Sequence, residues 1–166
     1  MIDTEKKQLQ IDLEKSRVRA LDALGIIGSP TPPEVEAVVK KIKAHYDIPL
    51  VSIAFMHESF TWFMVKPYRY LAQEIPKSMY LNHTEILRDL PIIVNSMAYN
   101  ENWKKHFLVT GPPYMRFMAS TTIKTKAGYR IAQLGIADVD SRPDFLLGDA
   151  DYLVECAREI EKLLAI

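Results

Sequence analysis

The sequence predicts an α+β domain, an antiparallel sheet with helices packed on it. Three observations predict it. Helical periodicity marks both ends of the chain. Two pairs of β-rich runs, each joined by a short polar turn, lie between them. Hydrophobic residues make up 48% of the 166 residues, enough to bury a core without a disulfide or structural metal.

The elements follow in order. Residues 3–25 are rich in Lys, Glu, Gln, Leu and Ala, and Leu9, Leu13, Leu21 and Leu24 recur at helical spacing. Gly25 and Gly28 stop that helix. Thr31 is the expected N-cap of the next, with Pro32 at the first helical position and Glu34 closing a capping box. Val35, Val38, Val39, Ile42 and Tyr46 form its apolar stripe. Leu50–Met56 and Phe60–Val65 read as a hairpin turning at His57-Glu58-Ser59. Residues 66–81 read as irregular. Asn82 and Glu85 open a short helix, and Pro91–Val94 is a short strand. Residues 95–106 read as a helical turn or two with loops. Met115–Thr125 and Tyr129–Val139 form a second hairpin about Lys126-Ala127-Gly128. Leu147–Leu164 is a closing amphipathic helix with Leu153, Ala157, Ile160 and Leu164 on one stripe. The chain reads as one domain over residues 1–166, with its core over about 17–164 and an N-terminal helix over about 3–25.

Charge and composition exclude several functions. The 21 basic and 21 acidic residues cancel, and a nucleic-acid binder normally presents a basic face. No apolar run approaches the roughly 20 residues of a membrane helix, and Met1–Lys7 has no signal-peptide core. Cytoplasmic localisation is the expectation. Phosphate loops, dinucleotide fingerprints and nucleophile elbows are missing. His57-Glu58 opens like a zinc-protease motif, but Thr61 stands where the second histidine would be. His45, His57, His83 and His106 show no metal-ligand spacing. No catalytic residue, metal or cofactor is therefore expected. Cys156, the single cysteine, has no local cation to activate it and reads as a small buried hydrophobe.

Four stretches, taken together, resemble a GAF domain, the regulatory domain of sensor kinases, cyclases and phosphodiesterases. They are Arg19–Ile26 with Ser29–Glu34, Pro49–Ile53 with Trp62-Phe63, Val109–Ala119, and Leu134–Asp138 with Arg142-Pro143. The resemblance spans residues 17–164 in the family's order. It implies that both terminal helices and the Thr31-capped helix lie on one face of the sheet. The crossover of residues 66–114 would cover the other face and roof a pocket. In that family the pocket can hold a cyclic nucleotide, a tetrapyrrole, a haem or a small metabolite.

The departures narrow this. Leu81 stands where many bacterial relatives carry a cysteine for a covalently bound bilin, although His83 is retained. The family's free methionine sulfoxide reductases use several cysteines, and this chain has one. The run typical of cyclic-nucleotide binders has no counterpart.

Two functional readings remain. In the first, the chain is a non-catalytic sensor that binds a small molecule between sheet and crossover and signals to a partner in trans. Its candidate pocket residues are Trp62, His83, Phe117, Ser120, Thr122 and Asp138. Each also has a structural reading: the aromatics as core, Asp138 as a turn cap, His83 as a first-turn residue bonding backbone. In the second, the chain is a dimerisation module with a filled pocket. Its homodimer would form through the terminal helices, using Leu9, Leu13, Leu24, Leu153, Ile160 and Leu164. Whether Tyr68, Tyr70, Met79, Tyr80 and Tyr99 point inward decides between a filled cavity and an open one.

Overall fold

A computed structural model describes residues 1–80 and 88–166. The short helix expected from Asn82, with His83, lies outside the described residues. Two helices open the chain, α1 (Ile2–Ala23) and α2 (Pro33–Tyr46). Strands β1 (Leu50–Met56) and β2 (Phe60–Val65) form the expected hairpin, followed by β3 (Glu74–Pro76) and β4 (Ile92–Val94). A one-turn helix α3 (Phe107–Thr110) precedes the second hairpin, β5 (Phe117–Lys124) and β6 (Arg130–Asp138). The chain closes with α4 (Asp151–Leu163). All six strands pair antiparallel in the order β3-β2-β1-β6-β5-β4.

Strand alternation divides the core in two. Val51, Ile53 and Phe55 of β1 face the helices, with Val35, Val38, Ile42, Leu153, Ala157 and Ile160. Ala54 and Met56 face the other way, under crossover residues Leu71, Ile75, Tyr80, Met97, Leu108 and Val109. This is the two-faced arrangement that the resemblance implies. No helix among the described residues is long and apolar enough to cross a membrane.

Four expectations change. Thr31 does not cap α2: Pro32 is the cap residue, extended at φ −60° and ψ 141°. A residue before proline is driven out of the helical region, so Pro33 delays the helix by one residue. Thr31 Oγ1 instead donates to Met64 O at 2.9 Å, tying the connection to β2. Residues 66–81, read as irregular, contain β3, whose three residues end in a proline that only an edge strand tolerates. The closing helix begins as a tight turn over Leu147–Ala150 before α4 proper. Tyr46 sets that junction, donating from its hydroxyl to Asp149 O at 2.6 Å and accepting from Leu153 N at 3.1 Å. Burial pushes the Tyr46 phenol up to about 12, so it stays a donor.

The fourth change concerns the terminal helices. Leu153 and Ile160 are fully buried against the chain's own sheet, and Leu164 packs half-buried on the same core. Leu153 and Ile160 are therefore not available to a partner. The α4 stripe is consumed because it lies directly over β5. By contrast Leu9 and Leu13 are 60% and 59% exposed and Leu24 37%. Residues 1–13 of α1 are exposed throughout, and the helix is buried only at Arg17, Val18 and Leu21.

Candidate functional site

On the crossover side of the sheet lies a small cavity of about 30 Å³. Its floor comes from the three central strands. Ser52 of β1 and Ser120 of β5 both stand opposite Gly135 of β6, with Ala137 two residues further along the same face. Its walls are apolar: Leu50, Phe63, Pro67, Ile75, Leu108, Met115 and Met118. Met79 and Tyr80 close it from the crossover. No described residue of the lining carries a charge.

Glycine at 135 leaves room for a close neighbour. A Cβ there would lie 2.9 Å from Ser52 Oγ, closer than real Cβ contacts come. Ser52 is only 8% exposed, and its hydroxyl has no hydrogen-bond partner among the described residues. Tyr80 is buried, and its hydroxyl reaches Gln133 Oε1 at 3.5 Å, long for such a bond. Desolvation raises the Tyr80 phenol well above its usual range, so it is neutral. Met79, by contrast, is 42% exposed. Its backbone carbonyl accepts from His106 Nε2 at 2.8 Å, while His106 Nδ1 accepts from Leu108 N at 3.1 Å. That pair of bonds requires neutral His106 with its proton on Nε2. Burial lowers the His106 pKa and so favours that form.

The six candidates separate by face. Ser120 lines the cavity. Thr122 shares that sheet face, but its hydroxyl donates to Arg88 O at 3.0 Å rather than into the cavity. Trp62 and Phe117 belong to the helix-side core, where Trp62 meets Phe55 and Phe117 meets Phe145. Asp138 alternates with Leu134 and Ile136 toward the helices. It accepts from Arg142 Nε and Nη2 at 2.9 and 2.7 Å. Arg142 then donates to Tyr46 O and Asp47 O, so Asp138 orients a clamp between β6 and the end of α2. His83 lies outside the described residues. Of the crossover residues that decide filling, Tyr80 points inward and Tyr68 packs half-buried on the same core. Tyr70 and Tyr99 point outward, at 72% and 87% exposed.

Sequence reasoning missed Ser52, Gly135 and Ala137. Their signal was small residues at alternate positions of strands that pair, which i, i+2 spacing puts on one face.

Beside this site, α1 is pinned to the domain through charge. Arg17, 3% exposed, donates from Nη1 to Met56 O at 2.6 Å, where β1 ends. It also grips Glu14 through Nε and Nη2 at 2.8 and 2.6 Å. Lys77, which lies between the lining residues Ile75 and Met79, donates to Glu14 Oε1 at 2.9 Å. Hydrogen bonds from Arg17 and Lys77 hold the Glu14 carboxyl down to about 2.

No family model matches the sequence, and no curated protein matches it. Solved structures do resemble it. The GAF domain of a two-component sensor histidine kinase from Bacillus halodurans superposes with a TM-score of 0.61 at 14% identity, covering 82% of this chain and 95% of that one. The GAF domain of an Acinetobacter phosphoenolpyruvate-protein phosphotransferase gives 0.60 at 12% identity, covering 95% and 93%. A type II free methionine-R-sulfoxide reductase from Thermoplasma acidophilum gives 0.60 at 13%, covering 92% and 94%.

Proposed function

On the premise that this chain has the GAF fold, we propose that it is a non-catalytic sensory domain of the cytoplasm whose small-molecule site is the cavity over Ser52, Gly135 and Ser120. The observation that carries this reading is the Ser52 hydroxyl, which faces a mostly apolar cavity and bonds no described residue. Apolar walls with few, placed polar groups are what small-molecule sites are built from. Sulfoxide reduction, the activity named for the Thermoplasma neighbour, does not belong to this reading. The only cysteine, Cys156, packs in the helix-side core across the sheet from the cavity, and burial raises its thiol pKa. A thiol so placed is a poor nucleophile.

The homodimer in this reading forms through α1 alone, by Leu9 and Leu13, with the downstream partner acting in trans. Its support is their exposure one helical turn apart on a segment that is exposed from residue 1 to 13.

A second reading has one observation in its favour. At about 30 Å³ the cavity holds a water or two. A ligand-free dimerisation module would look the same.

Native mass spectrometry of the protein as purified, set against the denatured chain, separates the two readings. Mass lost on denaturation is the expected result for the sensor; a bare chain denies it. The same spectra are expected to show a dimer that Leu9→Ser with Leu13→Ser converts to monomer. A dimer that persists in that variant would remove α1 from the interface.

A further inference from the structure

One wall of the cavity is open to chemistry from solvent. The chain has seven methionines, and all of them lie among the described residues. Met56, Met64, Met97, Met115 and Met118 are at most 5% exposed. Met1 is the fully exposed first residue, and Met79 is 42% exposed. Met79, Met115 and Met118 line the cavity, and of these three only Met79 is open to solvent. Resting on the pocket reading above, we propose that Met79 is an oxidation site through which a peroxide alters that pocket.

The chemistry is oxygen transfer. The Met79 thioether sulfur attacks one oxygen of hydrogen peroxide, the O–O bond breaks, an S=O bond forms and water leaves. The sulfur loses two electrons and the peroxide gains them. Access to the sulfur sets the order of reaction. Met115 and Met118 are 3% exposed and react only when the fold opens around them, so they lag behind Met79. Cys156, the remaining sulfur, is equally buried on the opposite face of the sheet, and burial raises its thiol pKa. Its reactive thiolate form is therefore suppressed.

The sulfoxide changes the wall. Oxidation turns a flexible apolar side chain into a polar one. The other walls include Leu50, Phe63, Ile75, Leu108, Met115 and Met118. An S=O dipole is costly among such groups and well solvated in water, so oxidation drives the Met79 side chain outward. The backbone does not follow. His106 Nε2 donates to Met79 O at 2.8 Å, and Tyr80 N donates to Lys77 O at 3.1 Å, which hold the turn in place. The change is confined to the cavity wall.

Hydrogen peroxide treatment of the purified chain tests this, read by peptide mass mapping and amide chemical shifts. Met79→Leu is the variant, because leucine is apolar, close in volume and inert to peroxide. Met79 is expected to gain one oxygen at least about tenfold faster than Met115 or Met118. The amides of Ser52, Ser120 and Gly135 are expected to shift as it does so. In treated Met79→Leu, where Met1 is still oxidised, they are expected to stay in place. In the native chain they are expected to return when methionine sulfoxide reductases restore the thioether. Met79 oxidising no faster than Met115 and Met118 overturns this inference and leaves the pocket reading standing. So do floor amides that fail to respond, or that respond equally in Met79→Leu. A bare chain in the native mass spectrum overturns the pocket reading instead, whatever peroxide does to Met79.

Discussion

Gly135 stands between Ser52 and Ser120 on neighbouring strands, and its missing side chain leaves room for Ser52 Oγ. Gly135→Ala must push that hydroxyl into another rotamer or spread the strands. The strain is of the overpacking kind, offset in part by the lower chain entropy of alanine. The expected net cost is about 1 kcal/mol in urea unfolding. Adding Ser52→Gly should abolish it, because the clashing atom is gone. Equal costs in both backgrounds would mean that the close approach is not what selects glycine. These two residues also show what sequence reading lacks at this scale. Trp62 and Phe117 drew notice as large aromatics, yet both turn toward the helices. Alternation says that residues i and i+2 share a face, but not which face. The cavity floor is made of residues too small to attract attention, and their meaning depends on strand register.

Elements were easier to read than residues. Both hairpins and the α2 stripe stand where periodicity places them. Of the shorter elements β4 was read from its apolar run, but β3 and α3, of three and four residues, were not, being too short for any period to show. What secures α1 was not legible either. Its grip on the sheet is one buried arginine, the Glu14 beside it on the same helix, and Lys77 brought from a distant part of the chain. That grip makes a pH prediction. The Glu14 carboxyl falls from an ordinary 4.5 to about 2 in the fold. Its folded pKa is depressed, so the stability it contributes is complete above about 4.5 and is lost as pH falls toward 2. Glu14→Gln should be less stable than the native chain at neutral pH and should approach it near pH 2. Thermal unfolding across that range would show parallel curves for the two proteins if the Arg17–Glu14–Lys77 cluster contributes nothing.

For the molecule as a whole, the order of elements and the two-faced sheet were open to inspection from the sequence, and the crossover was not. Residues 66–114 have little periodic pattern of their own. Contacts such as His106 to Met79, and Arg116 to the carbonyls of Val109 and Met115, position the described part of the crossover. Such contacts exist only once the sheet beneath has formed. The cavity is a product of that assembly: a floor dictated by strand pairing and a wall supplied by the crossover. The account depends on that space being a binding site rather than a packing residue of the fold. The most direct test is a crystal structure of the protein as purified, without added ligand. The account predicts density larger than two waters against Ser52 Oγ, with the Met79 side chain turned outward. A cavity closed by Met79 and holding only water would contradict it.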